Sequence, residues 1–284
     1  MAMVETKIIM KKFMSAVLAL PLLFSCKSGM TWEKFPMDGH RTGVTVPSAD
    51  NVPEAIGRVD SLTLTYYAPN SAVFSGGCTP EVAALLIGAQ PAMAEVKEVI
   101  AFSTSEMSAH APESELSNFV ADLVRSETER IVGRRCDVGI TNFGGIRVSM
   151  PQGDVILDDI RSMFPFVNKL CYVELPGSEL IRLMDDMAAN RVQCLSGVRL
   201  VIKDRKVKSL EVGGKAVDPR KKYGVATIDF LLDGGDNISV ARGATGLIRT
   251  DVLIGEAIEG YVRKLTAEGK AIEYHTDGRV VIEQ

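Results

Sequence analysis

The stretch Thr141-Asn-Phe-Gly-Gly-Ile-Arg147, followed by Pro165-Phe-Val-Asn168, decides how this chain is read. The apolar run Asp137-Val-Gly-Ile-Thr141 has the pattern of a short strand and leads into a glycine pair. A glycine pair lets the backbone turn tightly and leaves the main chain open to a ligand. Arg147 beside it offers a planar donor fork suited to phosphate or carboxylate. A second run follows the same plan: Tyr223 to Ile228 reads as a strand and feeds Asp229-Phe-Leu-Leu-Asp-Gly-Gly-Asp236. Phe166 and Phe230 each stand in or beside a loop, and two rings from separate segments can sandwich a flat heterocycle.

Outward from these runs, strands and helices mix. Glu95 to Ser103 and Lys169 to Leu175 read as strands, and Val155 to Met163 as a short strand or turn followed by a helix. Pro112 to Ile131 reads as a helix, with Leu116, Phe119, Val120, Leu123 and Val124 on one stripe. Further helices are expected over Pro176 to Ala189 and Thr250 to Leu265. Val198–Ile202 and Lys208–Val212 look like paired strands across a charged turn, and Gly278 to Ile282 closes the chain as a strand. No strict βαβ repeat is visible, so the fold class expected is α+β, a layered domain with mixed β-sheets and packed helices.

The pieces Glu113-Ser-Glu-Leu-Ser-Asn118-Phe-Val-Ala-Asp122, Asn142-Phe-Gly-Gly-Ile-Arg147, Gly153-Asp154, Pro165-Phe166-Val-Asn168 and Phe230-Leu-Leu-Asp-Gly-Gly-Asp236 are specific through their order and spacing. Together they resemble the C-terminal, substrate-binding domain of the 5'-nucleotidase / UDP-sugar hydrolase family, over about Val99 to Val281. The resemblance implies that Phe166 and Phe230 sandwich a base and that Asn168 hydrogen-bonds its edge. Arg147 would then reach a phosphate, and Asp236 would accept from ribose hydroxyls. Asn142 would orient the turn or touch the ligand. Each residue also has a plain structural role open to it. Arg147 could pair with Asp154 or Asp158, the rings could pack in the core, and Asp236 could cap its own turn.

In that family an N-terminal domain holding two metal ions cleaves the phosphoester, and such chemistry needs several gathered carboxylate, histidine and amide ligands. The family's Gly-Asn-His-Glu/Asp signature does not occur in this chain, whose three histidines, His40, His110 and His275, are scattered. No catalytic residue, metal ligand or cofactor is therefore expected here. The divalent metal would sit in a separate metallophosphatase chain, with this chain as the substrate-recognition half of a split 5'-nucleotidase. The alternative is a free-standing nucleoside-binding or scavenging lipoprotein. The sequence departs from the family in two places: Ser117 stands where glycine is usual, and Asn190 to Gly197 is a short loop.

The formal net charge of -4 argues against a nucleic-acid partner, which usually meets a basic surface. Lys11 and Lys12 precede an apolar run from Phe13 to Phe24 that is too short for a stable bilayer span. It ends in Leu23-Phe-Ser-Cys26, which resembles a bacterial lipobox and implies lipid on the Cys26 thiol. The membrane contact expected is this anchor alone, and the expected location is the cell envelope, on the periplasmic side or the surface. The other four cysteines, Cys78, Cys136, Cys171 and Cys194, show no zinc-ligand spacing and could form disulfides in an oxidising compartment, but buried free thiols are the reading favoured. The division expected is 1–29 signal peptide with lipobox, 30–94 a leader packing on the main domain, and 95–284 the 5'-nucleotidase C-terminal domain.

Overall fold

The computed structural model describes Thr45 and residues 47–283. The expected signal segment, Cys26 and His40 lie outside the described residues. In chain order the leader supplies α1 (Val52–Ala55), β1 (Arg58–Asp60), β2 (Thr65–Tyr67), β3 (Val73–Phe74) and α2 (Thr79–Ala89). The main domain follows with β4 (Val99–Ser103), α3 (Glu115–Val132), β5 (Val138–Thr141), β6 (Gly153–Ile156), α4 (Leu157–Met163) and β7 (Lys169–Pro176). It continues with α5 (Gly177–Ala189), β8 (Cys194–Ser196), β9 (Val198–Lys203), β10 (Lys206–Val212) and β11 (Lys215–Ala216). It ends with β12 (Lys222–Ile228), β13 (Gly246–Leu253), α6 (Ile254–Ala267) and β14 (Val280–Glu283).

Helix α3 carries the core. Its start is set by reciprocal bonds: Ser114 Oγ accepts the Ser117 N–H at 3.3 Å, and Ser117 Oγ accepts the Ser114 N–H at 2.9 Å. Ser114 is the cap, and Ser117, the serine that departs from the family's usual glycine, supplies the return bond of the capping box. At the far end Gly133 takes the left-handed conformation and donates to the Glu129 carbonyl, a glycine stop. The apolar stripe expected from the sequence, Leu116, Phe119, Val120, Leu123 and Val124, is fully buried. It packs on the five-stranded sheet β13-β7-β12-β5-β8. Residues of β5 and β12 are buried along nearly their whole length, so both faces of this sheet are covered.

The sheet's directions position everything that follows. Strand β12 pairs parallel with β5 and antiparallel with β7. The loop after β5, the loop after β12 and the segment before β7 therefore all emerge at one end of the sheet. Strand β13 runs antiparallel to β7 and returns to the same end, where the Ile254 N–H donates to the Asn168 carbonyl at 3.0 Å. A four-stranded sheet β11-β10-β9-β14 and the pair β4-β6 complete the main domain. In the leader, α2 packs on β1 and β2 of a three-stranded sheet. Mixed sheets with packed helices give the α+β class expected.

Several boundaries differ from the sequence expectation. Glu95–Lys97 is a 3-10 turn, and the strand begins only at Val99. Ser61 to Tyr67 alternates in the manner of a strand, but only Thr65–Tyr67 forms one, because Asp60 Oδ1 accepts the N–H groups of Leu62 and Thr63 and folds the earlier part into a turn. Thr79 before Pro80 has the pattern of a helix cap, but Cys78 occupies the cap position of α2, with Pro80 inside the first turn. Thr250 to Leu253 finishes β13 instead of opening the helix. Its tie is Thr250 Oγ1 donating to the Leu170 carbonyl at 2.9 Å, and α6 starts where Glu256 accepts the Leu253 N–H. Cys136, Cys171 and Cys194 are buried free thiols, as expected, whereas Cys78 is exposed.

Candidate functional site

All six site residues named from the sequence line one pocket of about 320 Å³: Asn142, Arg147, Phe166, Asn168, Phe230 and Asp236, with Gly144 and Gly145 at its edge. They arrive on three segments, from the loop after β5, the segment before β7 and the loop after β12. The volume lies within the range of small-molecule sites, roughly 300–1,000 Å³.

The rings do not pack as core residues. Phe166 is 49% exposed and Phe230 46% exposed, whereas Phe119, Phe143 and Phe164 are buried; Phe102 on β4 is exposed as well, but it does not line this pocket. Arg147 makes none of the ion pairs open to it on the sequence. One of its terminal nitrogens donates to the Gly144 carbonyl at 3.2 Å, and its guanidinium lies 5.9 Å from the Phe166 ring centre. Among the described residues no carboxylate pairs with it. Its fork stays available for an anion.

Asn142 bridges the two glycine loops. Its Nδ2 donates to Asp236 Oδ2 at 2.8 Å, and its Oδ1 is buried without a hydrogen-bond partner. Asp236 sits at φ +50°, a left-handed conformation that aspartate tolerates better than most residues, after Gly234 at φ +94°. Gly235 has no room for a side chain: an added Cβ would stand 2.0 Å from the Phe230 carbonyl oxygen and 2.9 Å from its ring. The glycine pair thus lets the loop fold directly beneath the Phe230 ring.

Two positioning residues escaped the sequence analysis. Asp229 Oδ1 accepts the Lys169 N–H at 3.1 Å and the Phe230 N–H at 2.9 Å, which ties the two ring-bearing segments together. Gln193 is buried just before β8, and its Oε1 accepts the Phe143 N–H at 3.3 Å, holding the first glycine turn. Asp229 could have been found from its place immediately before Phe230. Gln193 carries no sequence signal.

The profile of the family described as "5'-nucleotidase, C-terminal domain" matches residues 92–243. The chain belongs to that family. Protein UshA of Escherichia coli is 29% identical over 133 residues, covering 45% of this chain and 24% of the relative. The crystal structure of a 5'-nucleotidase precursor from Thermus thermophilus superposes with a TM-score of 0.63 at 24% identity, covering 76% of this chain and 45% of that one. NAD nucleotidase of Haemophilus influenzae gives 0.55 at 17% identity, covering 74% and 42%. Both structures share the fold. This chain spans about a quarter of the length of the curated relatives it matches, through their C-terminal part.

In this 5'-nucleotidase C-terminal domain the Glu113–Asp122 run does not line the pocket. Asp122 is bridged by both terminal nitrogens of Arg279, at 2.8 and 3.0 Å, and accepts from Tyr274 and Ser196. Glu113 accepts the Asp277, Gly278 and Val280 N–H groups and the Asn118 side chain. Burial alone would raise the Glu113 pKa, but these donors outweigh it and hold the carboxyl below its usual value. The run fastens the segment leading into β14 against α3. One Asp-x-His spacing, Asp38-Gly-His40, does occur in the sequence and lies outside the described residues. Among the described residues no three His, Cys, Asp or Glu side chains gather in a metal-binding cluster.

Proposed function

We propose that this chain binds a nucleotide or nucleoside with the base between Phe166 and Phe230. The observation that carries this is the meeting of two half-exposed rings, an unpaired arginine and a carboxylate in one pocket from three separate segments. Asn168 reads the base edge, Asp236 takes the ribose diol and Arg147 takes the phosphate. Asp236 suits the diol because one oxygen is already oriented by Asn142. Asn142 acts chiefly as a positioning residue.

In this reading the chain recognises substrate for phosphomonoester hydrolysis in nucleotide catabolism. A separate metallophosphatase chain supplies the divalent metals and the attacking water. Recognition contributes by holding the ester in reach of that centre, which lowers the entropic part of the barrier. The protein is anchored to the cell envelope through lipid on Cys26. Loss of membrane association in Cys26→Ser, with the fold intact, is the expected result; retention would remove the anchor from the proposal.

Calorimetry with AMP and adenosine on the purified chain tests the pocket. Base–aromatic stacking is worth about 1–3 kcal/mol per base, so Phe166→Ala with Phe230→Ala is expected to weaken both ligands at least tenfold. Unchanged affinity would overturn the reading. With added divalent metal the chain alone should leave AMP intact, and hydrolysis would remove the need for a partner.

A further inference from the structure

A cavity of about 770 Å³ lies at the opposite end of the five-stranded sheet from the nucleotide pocket. Strand β5 runs between the two. Asp137, just before it, lines this cavity, and Asn142, just after it, lines the pocket. Five steps of extended chain separate them, about 17 Å at a rise of roughly 3.3 Å per residue. The two sites are therefore distinct.

Four cations line the cavity, Arg125, Arg135, Lys215 and Lys221, against two carboxylates, Glu129 and Asp137. This surplus stands out in a chain whose net charge is -4. Both carboxylates are already engaged. Glu129 Oε2 accepts the Cys136 N–H at 2.8 Å, and Asp137 accepts the Gly224 N–H at 3.0 Å while pairing with Arg135 at 2.9 Å. The remaining cations have no carboxylate partner among the described residues. Arg125 donates through Nε to Ser196 Oγ at 2.8 Å, which orients its fork and leaves its terminal nitrogens free of any ion pair. Lys221 lies 4.9 Å over the Tyr223 ring, and Lys215 stands on β11 across the opening.

We propose that this cavity binds a multivalent phosphate anion, a pyrophosphate or longer phosphate chain, free or carried on a nucleotide. A single phosphate would be met by one arginine fork. Here three unpaired cations come from a helix, a hairpin and the approach to β12, and the volume exceeds one oxyanion. Several linked phosphates match both the spread of charge and the space. The site binds and does not react. Its one thiol, Cys136, is pushed up to about 12 by burial and by the Glu129 charge, so no thiolate forms at neutral pH. No histidine lines the cavity.

Calorimetry of the purified chain with sodium tripolyphosphate tests this, on the wild type and two double variants. Lys215→Gln with Lys221→Gln changes two exposed side chains and should weaken tripolyphosphate at least tenfold while leaving adenosine affinity within twofold. Phe166→Ala with Phe230→Ala should leave tripolyphosphate within twofold. Raised salt should weaken the binding, as expected for exposed charges. Three results would each overturn the proposal: no wild-type binding at millimolar tripolyphosphate, equal binding by the lysine variant, or equal loss in the phenylalanine variant. The last would move the anion to the nucleotide pocket, so failure here stays separate from failure there. Competition by ATP in the phenylalanine variant would mark a nucleotide-borne phosphate chain as the ligand, and its absence a free one.

Discussion

Around Glu113, Asp122 and Arg279 each charged group has its partners; around Asn142, Arg147 and Asp236 several do not. In the first region Arg279 is 7% exposed and meets Asp122, Asp277 and the Leu195 carbonyl. In the second, Arg147 holds one backbone carbonyl, Asn142 Oδ1 is buried and unpaired, and two rings stand half in solvent. Similar residue types serve both regions. What separates structure from recognition is saturation: a closed network spends its bonding capacity on the fold, and an open one keeps it for a ligand.

The largest effect should come from breaking the closed network. Arg279→Ala leaves Asp122 partly buried without its cation, and loss of one partner of a buried pair costs about 3 kcal/mol or more. Urea unfolding should show that drop, with AMP affinity of the folded protein unchanged. A stability loss below about 1 kcal/mol would mean the network is ornamental. The double phenylalanine variant should behave in the opposite way. Since both rings are half exposed, it should unfold within about 1 kcal/mol of wild type despite its loss of ligand.

Acid should act on the closed region next. Glu113 is held below its usual value by backbone and amide donors, and Asp277 chiefly by its hydrogen bond to Arg279. A depressed folded-state pKa contributes stability above the unfolded value, near pH 4, and loses it as pH falls through the lower folded value. The urea midpoint should therefore hold from neutral pH to about pH 5 and fall below about pH 4. In Glu113→Gln that acid slope should be shallower; an unchanged slope would assign it to other carboxylates. The smallest effect belongs to the open region. Arg147→Gln should weaken AMP about tenfold, near 1.4 kcal/mol, and adenosine by less than twofold. Equal losses for the two ligands would detach Arg147 from the phosphate.

The strand, turn and ring signals around the pocket were local and therefore legible. Thr141 to Arg147 and Phe230 to Asp236 each carry their turn chemistry within a few residues. The stripe of α3 was legible for the same reason, through its helical period. The end of β13 was not. Thr250 to Leu253 looks helical by pattern, and what holds it in the sheet is contact with β7, some 80 positions away: Thr250 bonds the Leu170 carbonyl, Asp251 bonds Lys169 and Leu253 pairs with Lys169. Ser117, which stands where glycine is usual in the family, completes the helix cap, because the N-cap Ser114 lies three residues upstream and the two exchange hydrogen bonds.

Composition, period and turn residues determined by themselves that this is an α+β chain with two glycine loops and two loop-borne rings. Its membership of the family was legible from the same local strings. Only the tertiary structure decided that the loops share a pocket, that Asn142 reaches Asp236 and that Asp229 links the ring segments. Those facts follow from β12 pairing parallel with β5 and antiparallel with β7. Pairing between strands is set by packing among distant residues, and no local pattern encodes a partner or a direction.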